Sequence, residues 1–272
     1  MSAVTSGAAA IHREWHRFTP AQRLARFAFY LVAVAAVVVS INSVEIIPEF
    51  LWDAPEQIVD LFARMWPIDW AYFGDSVLDS LIETLHIATL GTILSLVIAV
   101  PLGFLAARNL CPYPPLNWLA KFVFVTSRSV NSLVWALLFV AVFGPGALAG
   151  TLAIALRSVG FVGKLFAEAL EEANAGSIEA LEAAGAPKRS VVLMGYWPQV
   201  QPAFWSIALF RWDINIRESA VLGLVGAGGI GTALETALSL LYWDQVAVVL
   251  LTIFAVVIAA EMLVTTIRAR II

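Results

Sequence analysis

Long apolar runs separated by short polar or proline–glycine breaks dominate the chain from residue 27 onward. A helix that crosses the hydrocarbon core needs about 20 mostly apolar residues. Residues 27–44 supply the first, uncharged throughout, and 87–107 the second, entered from near Val77 by a tilted or amphipathic turn. Residues 122–143 form the third, with Arg128 as the only interior charge. The turn Gly144-Pro145-Gly146 then ends the helix. A weaker fourth run, 147–169, carries Arg157 and Lys164; 196–222 contain the fifth and 245–266 the sixth. The pattern predicts an all-α integral membrane protein of about six transmembrane helices. The first run follows a long polar lead and lacks a small-residue cleavage pattern, so it reads as a retained helix, not a signal peptide.

Charge orients these spans. Arg13, Arg17, Arg23 and Arg26 precede the first; Arg108 and Lys121 bracket the loop after the second; Lys188 and Arg189 precede the fifth; Arg268 and Arg270 follow the sixth. Positive residues in short flanks mark the cytoplasmic side. All four segments fall on one side of a six-span arrangement, with both termini cytoplasmic. The opposite side holds residues 48–76, rich in Trp (Trp52, Trp66, Trp70) and acids, which fit an interfacial helix on the outer surface or a loop covering the bundle.

Composition strengthens this picture. Hydrophobic residues are 61% of the chain and charged ones 13%, with a mean hydropathy of +0.86; soluble domains run at roughly 45–50% apolar and about 25% charged. The single Cys111 excludes an internal disulfide, and His12, His16 and His86 lack metal-site spacing. No GxxxxGK[ST] phosphate-binding sequence occurs. Gly226, Gly228 and Gly231 satisfy GxGxxG, but a membrane helix precedes them where that fingerprint needs a strand. Gly226, Gly228, Gly229 and Gly231 instead suit close helix packing or a hinged outer gate.

Between the fourth and fifth spans lies a polar stretch of strong helix formers, too polar to cross the bilayer. Ser177 is placed to cap a short helix with Glu179 and Glu182 near its positive end. Gly185 stops it and Pro187 prevents continuation, so the chain re-enters the membrane around Trp197-Pro198. Glu179-Ala180, Gly185 six residues after the glutamate, and Trp197-Pro198 resemble the coupling loop of ABC import permeases. Further blocks, LVWALLFV from Leu133, GKLFAEALE from Gly163, RWDINIR from Arg211 and VLGLVGAGGIG from Val221, resemble phosphonate-importer permeases across residues 78–267.

The resemblance implies a type I ABC importer permease fold in the bacterial inner membrane, switching by alternating access. It divides the chain into a cytoplasmic stretch 1–26, a first transmembrane helix 27–47, the outer segment 48–76, and a permease core 77–272 with coupling loop 171–197. By the same resemblance Glu179, Ala180, Gly185 and Pro198 couple to a cytoplasmic ABC ATPase dimer. ATP and magnesium belong to that partner, and this chain binds no cofactor. An extracytoplasmic solute-binding protein and a second permease copy, identical or not, complete the implied assembly, with no nucleic acid. The family commonly has proline where this chain has Asn131, before Ser132, so the third helix is expected to run straighter.

Intramembrane ionisable groups face the bundle interior or water. Arg128, Arg211 and Arg217 are therefore candidates to guide an anionic substrate, with Asn131, Ser132, Asn215 and Ser219 as weaker contacts. Asp213 and Arg217, four residues apart, also suit a simple ion pair, while Arg211 and Glu218, seven apart, share another stripe. Permeases for phosphate, phosphite or methionine are the nearer alternatives. A secondary carrier leaves the coupling loop unexplained and lacks an internal repeat, and an enzyme lacks a convergent nucleophile–base or metal set.

Overall fold

The computed structural model describes residues 18–44 and 48–271; residues 1–17 of the N-terminal stretch, with Arg13 and Arg17, and residues 45–47 lie outside the described residues. All regular elements among the described residues are helical. The chain divides into two compact units, Met1–Asp60 and Leu61–Ile272.

In the first unit, helix α1 (Pro20–Ser43) begins ahead of its apolar run because Thr19 and Gln22 form a reciprocal capping box, with Pro20 at the first helical position. Most of α2 (Pro48–Arg64) follows, so the outer segment is helical over that stretch. It carries Glu49 in its first turn and Arg64 in its last, each opposite in sign to the helix end it sits on.

The second unit is built on α3 (Trp70–Ala106), α4 (Pro114–Ser129), α5 (Ser132–Phe143), α6 (Ala147–Glu171), α7 (Ala175–Ala183), α8 (Lys188–Val225), α9 (Ile230–Ser239) and α10 (Trp243–Ile271). Small residues let α3 and α6 lie against one another: Gly91 meets Ile154 and Gly103 meets the Phe166 ring. Those contacts advance in the same direction along both helices, so α3 and α6 are parallel. The chain between them must cross back, which makes α4 and α5 two halves of one span. Helix α8 runs antiparallel to both, with Asn215 beside Thr92 and Ser219 beside Thr84. Among the described residues, four helices cross by length and composition alone, and six spans result when each bent pair, α4–α5 and α8–α9, counts as one. The six-span expectation and the loop sidedness agree with this order.

Two local expectations are corrected. The third span is not straight: α4 and α5 meet at 90°. Val130 and Asn131 are extended (φ −101°, ψ 135° and φ −66°, ψ 148°), and Asn131 Oδ1 accepts the Leu133 N–H at 3.2 Å. An N-capping asparagine thus starts α5 at a position where proline would have ended α4. The short helix between the fourth and fifth spans is capped by Asn174, whose Oδ1 accepts the Gly176 N–H at 2.9 Å, and Ser177 lies inside it. The helix that carries the fifth span starts at Lys188, directly after extended Pro187. Its Val191–Tyr196 stretch is π-helical. That wider turn accommodates Pro198, which lacks an N–H and whose ring crowds the preceding turn of a regular helix.

Candidate functional site

The break between α4 and α5 frees the carbonyl of Val130 inside the bundle, and Arg157 of α6 answers it, Nη1 donating at 3.3 Å. Arg157 lies ten residues into α6, about 15 Å along its axis and so near mid-membrane. Its Nε donates to Glu218 Oε1 at 3.2 Å, while Arg211 Nη2 donates to Glu218 Oε2, also at 3.2 Å. Arg211 is only 3% exposed. Its Nε donates to Ser158 Oγ at 2.8 Å, and its guanidinium carbon sits 5.6 Å from the centre of the Phe161 ring. Behind it, Ser158 Oγ lies 3.1 Å from Asn215 Oδ1, and Asn215 Nδ2 donates to Thr92 Oγ1 at 2.7 Å. This polar seam joins α3, α6 and α8 through groups that each have a partner, as burial in a membrane requires.

In front of the seam opens a cavity of about 430 Å³ lined by Val125, Arg128, Ser129, Arg157, Phe161 and Arg211. A second cavity of about 470 Å³ shares Val125 and Arg128 and extends to Arg108, Lys121 and Lys164 near the cytoplasmic ends of the helices. Lys164 pairs with Glu168 at 3.3 Å and Lys121 with Glu171 at 3.9 Å. Among the described residues no carboxylate lies within ion-pair distance of Arg128. Around the first cavity, three guanidiniums against the single carboxylate of Glu218 leave a net charge of two positive. Such a surplus between low-dielectric walls attracts anions.

The remaining candidates scatter. Arg217 pairs with Asp213 on its own helix and faces α10, where it lies 3.8 Å from Glu261, with 46% of its side chain exposed. Asp213 Oδ1 is buried without a hydrogen-bond partner. Ser219 is buried against α3 with its Oγ 3.3 Å from the Thr84 carbonyl. Asn131 and Ser132 sit at the α4–α5 break. The structure therefore brings Arg128 and Arg211 to one cavity, sets Asn215 behind it, and leaves Arg217 and Ser219 in helix contacts. Arg157 and Glu218 complete the cluster. The available sequence signals were an unpaired arginine within the fourth span and a glutamate two turns beyond Arg211.

At the opposite end from α7, Gly226, Gly228 and Gly229 hold φ of 81°, 80° and 76°, a region that favours glycine, and they turn α8 into α9. The turn is clamped. Gly229 N donates to Glu83 Oε2 at 3.1 Å, Ile230 N to Thr84 Oγ1 at 2.7 Å, and Gly146 N to the Gly226 carbonyl at 2.9 Å. Gly231 packs on the backbone of Ala220 and Gly223.

At the cytoplasmic end, α7 presses Ile178 and Leu181 onto Ala107, Phe166, Leu170, Val191 and Tyr196. It ends in a doubled hydrogen bond, Gly185 N to Glu182 O at 2.9 Å and Ala186 N to Leu181 O at 3.1 Å, with Gly185 at φ 78°. Asn174 N donates to Gln199 Oε1 of α8 at 2.8 Å, and Arg108 N to Glu171 Oε1 of α6 at 2.8 Å. Glu179, Ala180 and Gly185 are left exposed; Pro198 is exposed as well, but one π-helical stretch away on α8.

A family model for binding-protein-dependent transport system inner membrane components matches residues 99–272. The phosphate-import permease protein PhnE of Mycolicibacterium smegmatis is 40% identical over 92% of this chain. This chain spans about half of that relative's length (47%). The phosphite transport system permease protein PtxC of Stutzerimonas stutzeri is 42% identical over 74% of this chain and 72% of its own. Among solved structures, an inward-facing MetNI methionine ABC transporter matches with a TM-score of 0.65 at 22% identity, over 75% of this chain and 100% of the other. An amino acid ABC transporter with histidines matches at 0.64 and 17%, over 75% and 99%. At those identities the structural likeness speaks for the fold alone.

Proposed function

This chain belongs to the family of binding-protein-dependent transport system inner membrane components, and on that premise we propose that it is the permease subunit of an ATP-driven importer for phosphonate or a related small phosphorus oxyanion. It is a multi-pass inner-membrane protein with the fold of type I ABC importer permeases. The observation that carries the substrate class is the mid-membrane cavity where Arg128, Arg157 and Arg211 converge with a surplus of two positive charges. Guanidiniums suit phosphoryl oxygens because their planar forks donate to two oxygens at once. The relatives named for phosphate and phosphite import point to the same chemistry.

In this reading ATP and magnesium sit on a cytoplasmic ATPase dimer that docks on the exposed face of α7, around Glu179, Ala180 and Gly185. A solute-binding protein delivers the oxyanion at the outer end, where the turn of Gly226, Gly228, Gly229 and Gly231 forms the gate. A second permease copy completes the path. Helix α7 is suited to transmit force because it is braced to both neighbours: to α6 through Leu170 and Phe166, and to α8 through Gln199 and Tyr196. Arg157 rides on α6, while Arg211 and Glu218 ride on α8, so displacement of α7 reaches both walls of the cavity.

The test is ATPase activity of the purified complex in lipid, with and without binding protein loaded with 2-aminoethylphosphonate, phosphite or phosphate. Stimulation by a loaded form supports the proposal. Absence of any copurifying ATPase, together with uptake that follows an ion gradient, overturns it in favour of a secondary carrier.

A further inference from the structure

The arginine cavity already contains an anion of its own. Glu218 bridges two guanidiniums, each of its oxygens 3.2 Å from a different arginine, and its side chain is 18% exposed. Two oxygens bridging two guanidiniums is also the arrangement in which a phosphoryl group would bind them. The two arginines are not held alike. Arg211 is fixed by Ser158 and lies over the Phe161 ring, so only its Nη end is engaged with the carboxylate. Arg157 has 30% of its side chain exposed, and its other partner is a backbone carbonyl. Arg128 lines the same cavity with no carboxylate partner among the described residues.

We propose that Glu218 is a resident counter-anion: it holds Arg157 and Arg211 when the cavity is empty, yields Arg157 to an incoming phosphoryl oxyanion, and reclaims it to release the cargo. The proposal rests on the reading of this chain as a phosphorus-oxyanion permease, and it gives Glu218 a positioning role. Three arginines with no internal anion would repel one another when empty, since each is expensive to leave unpaired in a membrane. They would also hold a bound oxyanion too firmly, whereas a transport site must bind weakly enough to let go. With Glu218 in place the surplus is two, which a phosphoryl group carrying about −1.5 to −2 neutralises. Exchanging one anion for another keeps Arg157 and Arg211 paired throughout.

Charge counting supplies the test. Glu218→Gln raises the surplus to three, Arg157→Gln lowers it to one, and the double variant returns it to two. In the complex with its ATPase, at matched assembly, uptake and retention of radiolabelled inorganic phosphate and phosphite are measured in proteoliposomes with loaded binding protein. Glu218→Gln should raise retained anion and lower maximal uptake, each about tenfold, the low end for a charge-assisted hydrogen bond. Arg157→Gln should lower retention, and the double variant should regain most of the uptake. If Glu218→Gln does not assemble, Glu218→Asp decides. The same charge on a shorter arm keeps uptake near wild type, whereas a purely geometric brace that needs both contacts loses it. Wild-type uptake of either anion with retention unchanged or lowered in Glu218→Gln overturns the counter-anion role and leaves the substrate reading standing. Wild-type uptake of no phosphorus oxyanion, 2-aminoethylphosphonate included, removes the substrate reading itself.

Discussion

Replacing Asn131 by proline should be tolerated, although it puts a helix breaker in the middle of a span. Asn131 has φ −66°, inside the window of about −65 ± 15° that proline imposes. Val130 before it, at φ −101° and ψ 135°, already has the extended geometry that a following proline requires. Among the described residues no backbone hydrogen bond is donated by the Asn131 N–H, so none is lost. The variant gives up the side-chain cap to Leu133, worth about 1 kcal/mol, and the bond from the Ser132 hydroxyl to the same oxygen at 3.2 Å, worth about 0.6 kcal/mol in a membrane, and gains about 0.4–1 kcal/mol from a stiffer unfolded chain. The net loss should be about 0.6–1.2 kcal/mol, small enough for the fold to survive. Asn131→Ala loses both bonds without the gain and should be destabilised by about 1.6 kcal/mol.

The bend itself can be read as a distance. Leu119 and Val142 are both exposed and lie on opposite arms of the break. Arms of about 18 Å and about 17 Å set at a right angle separate their backbones by about 24 Å, against about 35 Å for one straight helix. Cys111 is the only cysteine, so Cys111→Ser clears the background for spin labels at both positions. Labelled chain diluted into unlabelled chain should give the short distance in wild type, Asn131→Pro and Asn131→Ala alike. A distance near 35 Å in wild type would refute the bend. An Asn131→Pro variant that fails to assemble while Asn131→Ala succeeds would refute the backbone argument.

Gly185→Ala places a side chain at φ 78°, at a cost of about 1–2 kcal/mol, and should sharply reduce stimulation of the partner ATPase by loaded binding protein. Ile178→Ala removes the buried anchor of α7 at about 2–5 kcal/mol. A helix that short does not hold itself in water, so hydrogen exchange across Ala175–Ala183 should accelerate. Gly160→Ala drives a methyl into the Phe124 carbonyl where α6 crosses α4, and should lower the thermal stability of the complex by about 1–3 kcal/mol. Asn215→Leu breaks the bonds to Thr92 and Ser158, each worth about 0.6 kcal/mol in a membrane, so a total near 1 kcal/mol should appear in the same melting assay.

What could be read from the chain alone follows the dimensionality of each property. Span number and sidedness depend on run length and on lysine and arginine in the flanks, both one-dimensional, and both matched the helix order. The stop at Gly185 was equally legible, because a left-handed residue that ends a helix is a local event. The start of the same helix was not. Ser177 and Asn174 are both good caps, and Asn174 prevails through a tertiary bond, its N–H reaching Gln199 on a helix that the chain has yet to form. The α4–α5 bend is not legible in the chain, because no proline marks it. Asparagine meets the same backbone requirement by capping, and Gly160 and Gly163 let α4 close on α6 beside the bend. The arginines were hardest. Arg128, Arg157, Arg211 and Arg217 all stand within spans, and which of them meet depends on the rotation of each helix about its own axis. Glycines set that rotation on α6, and the facing Asn215 and Thr92 pin it on α8. Arg157 consequently enters the cavity and Arg217 turns to α10. Glu218 was within reach, two turns from Arg211 on the same stripe, but its second arginine comes from another helix, and only the packed bundle brings the two together.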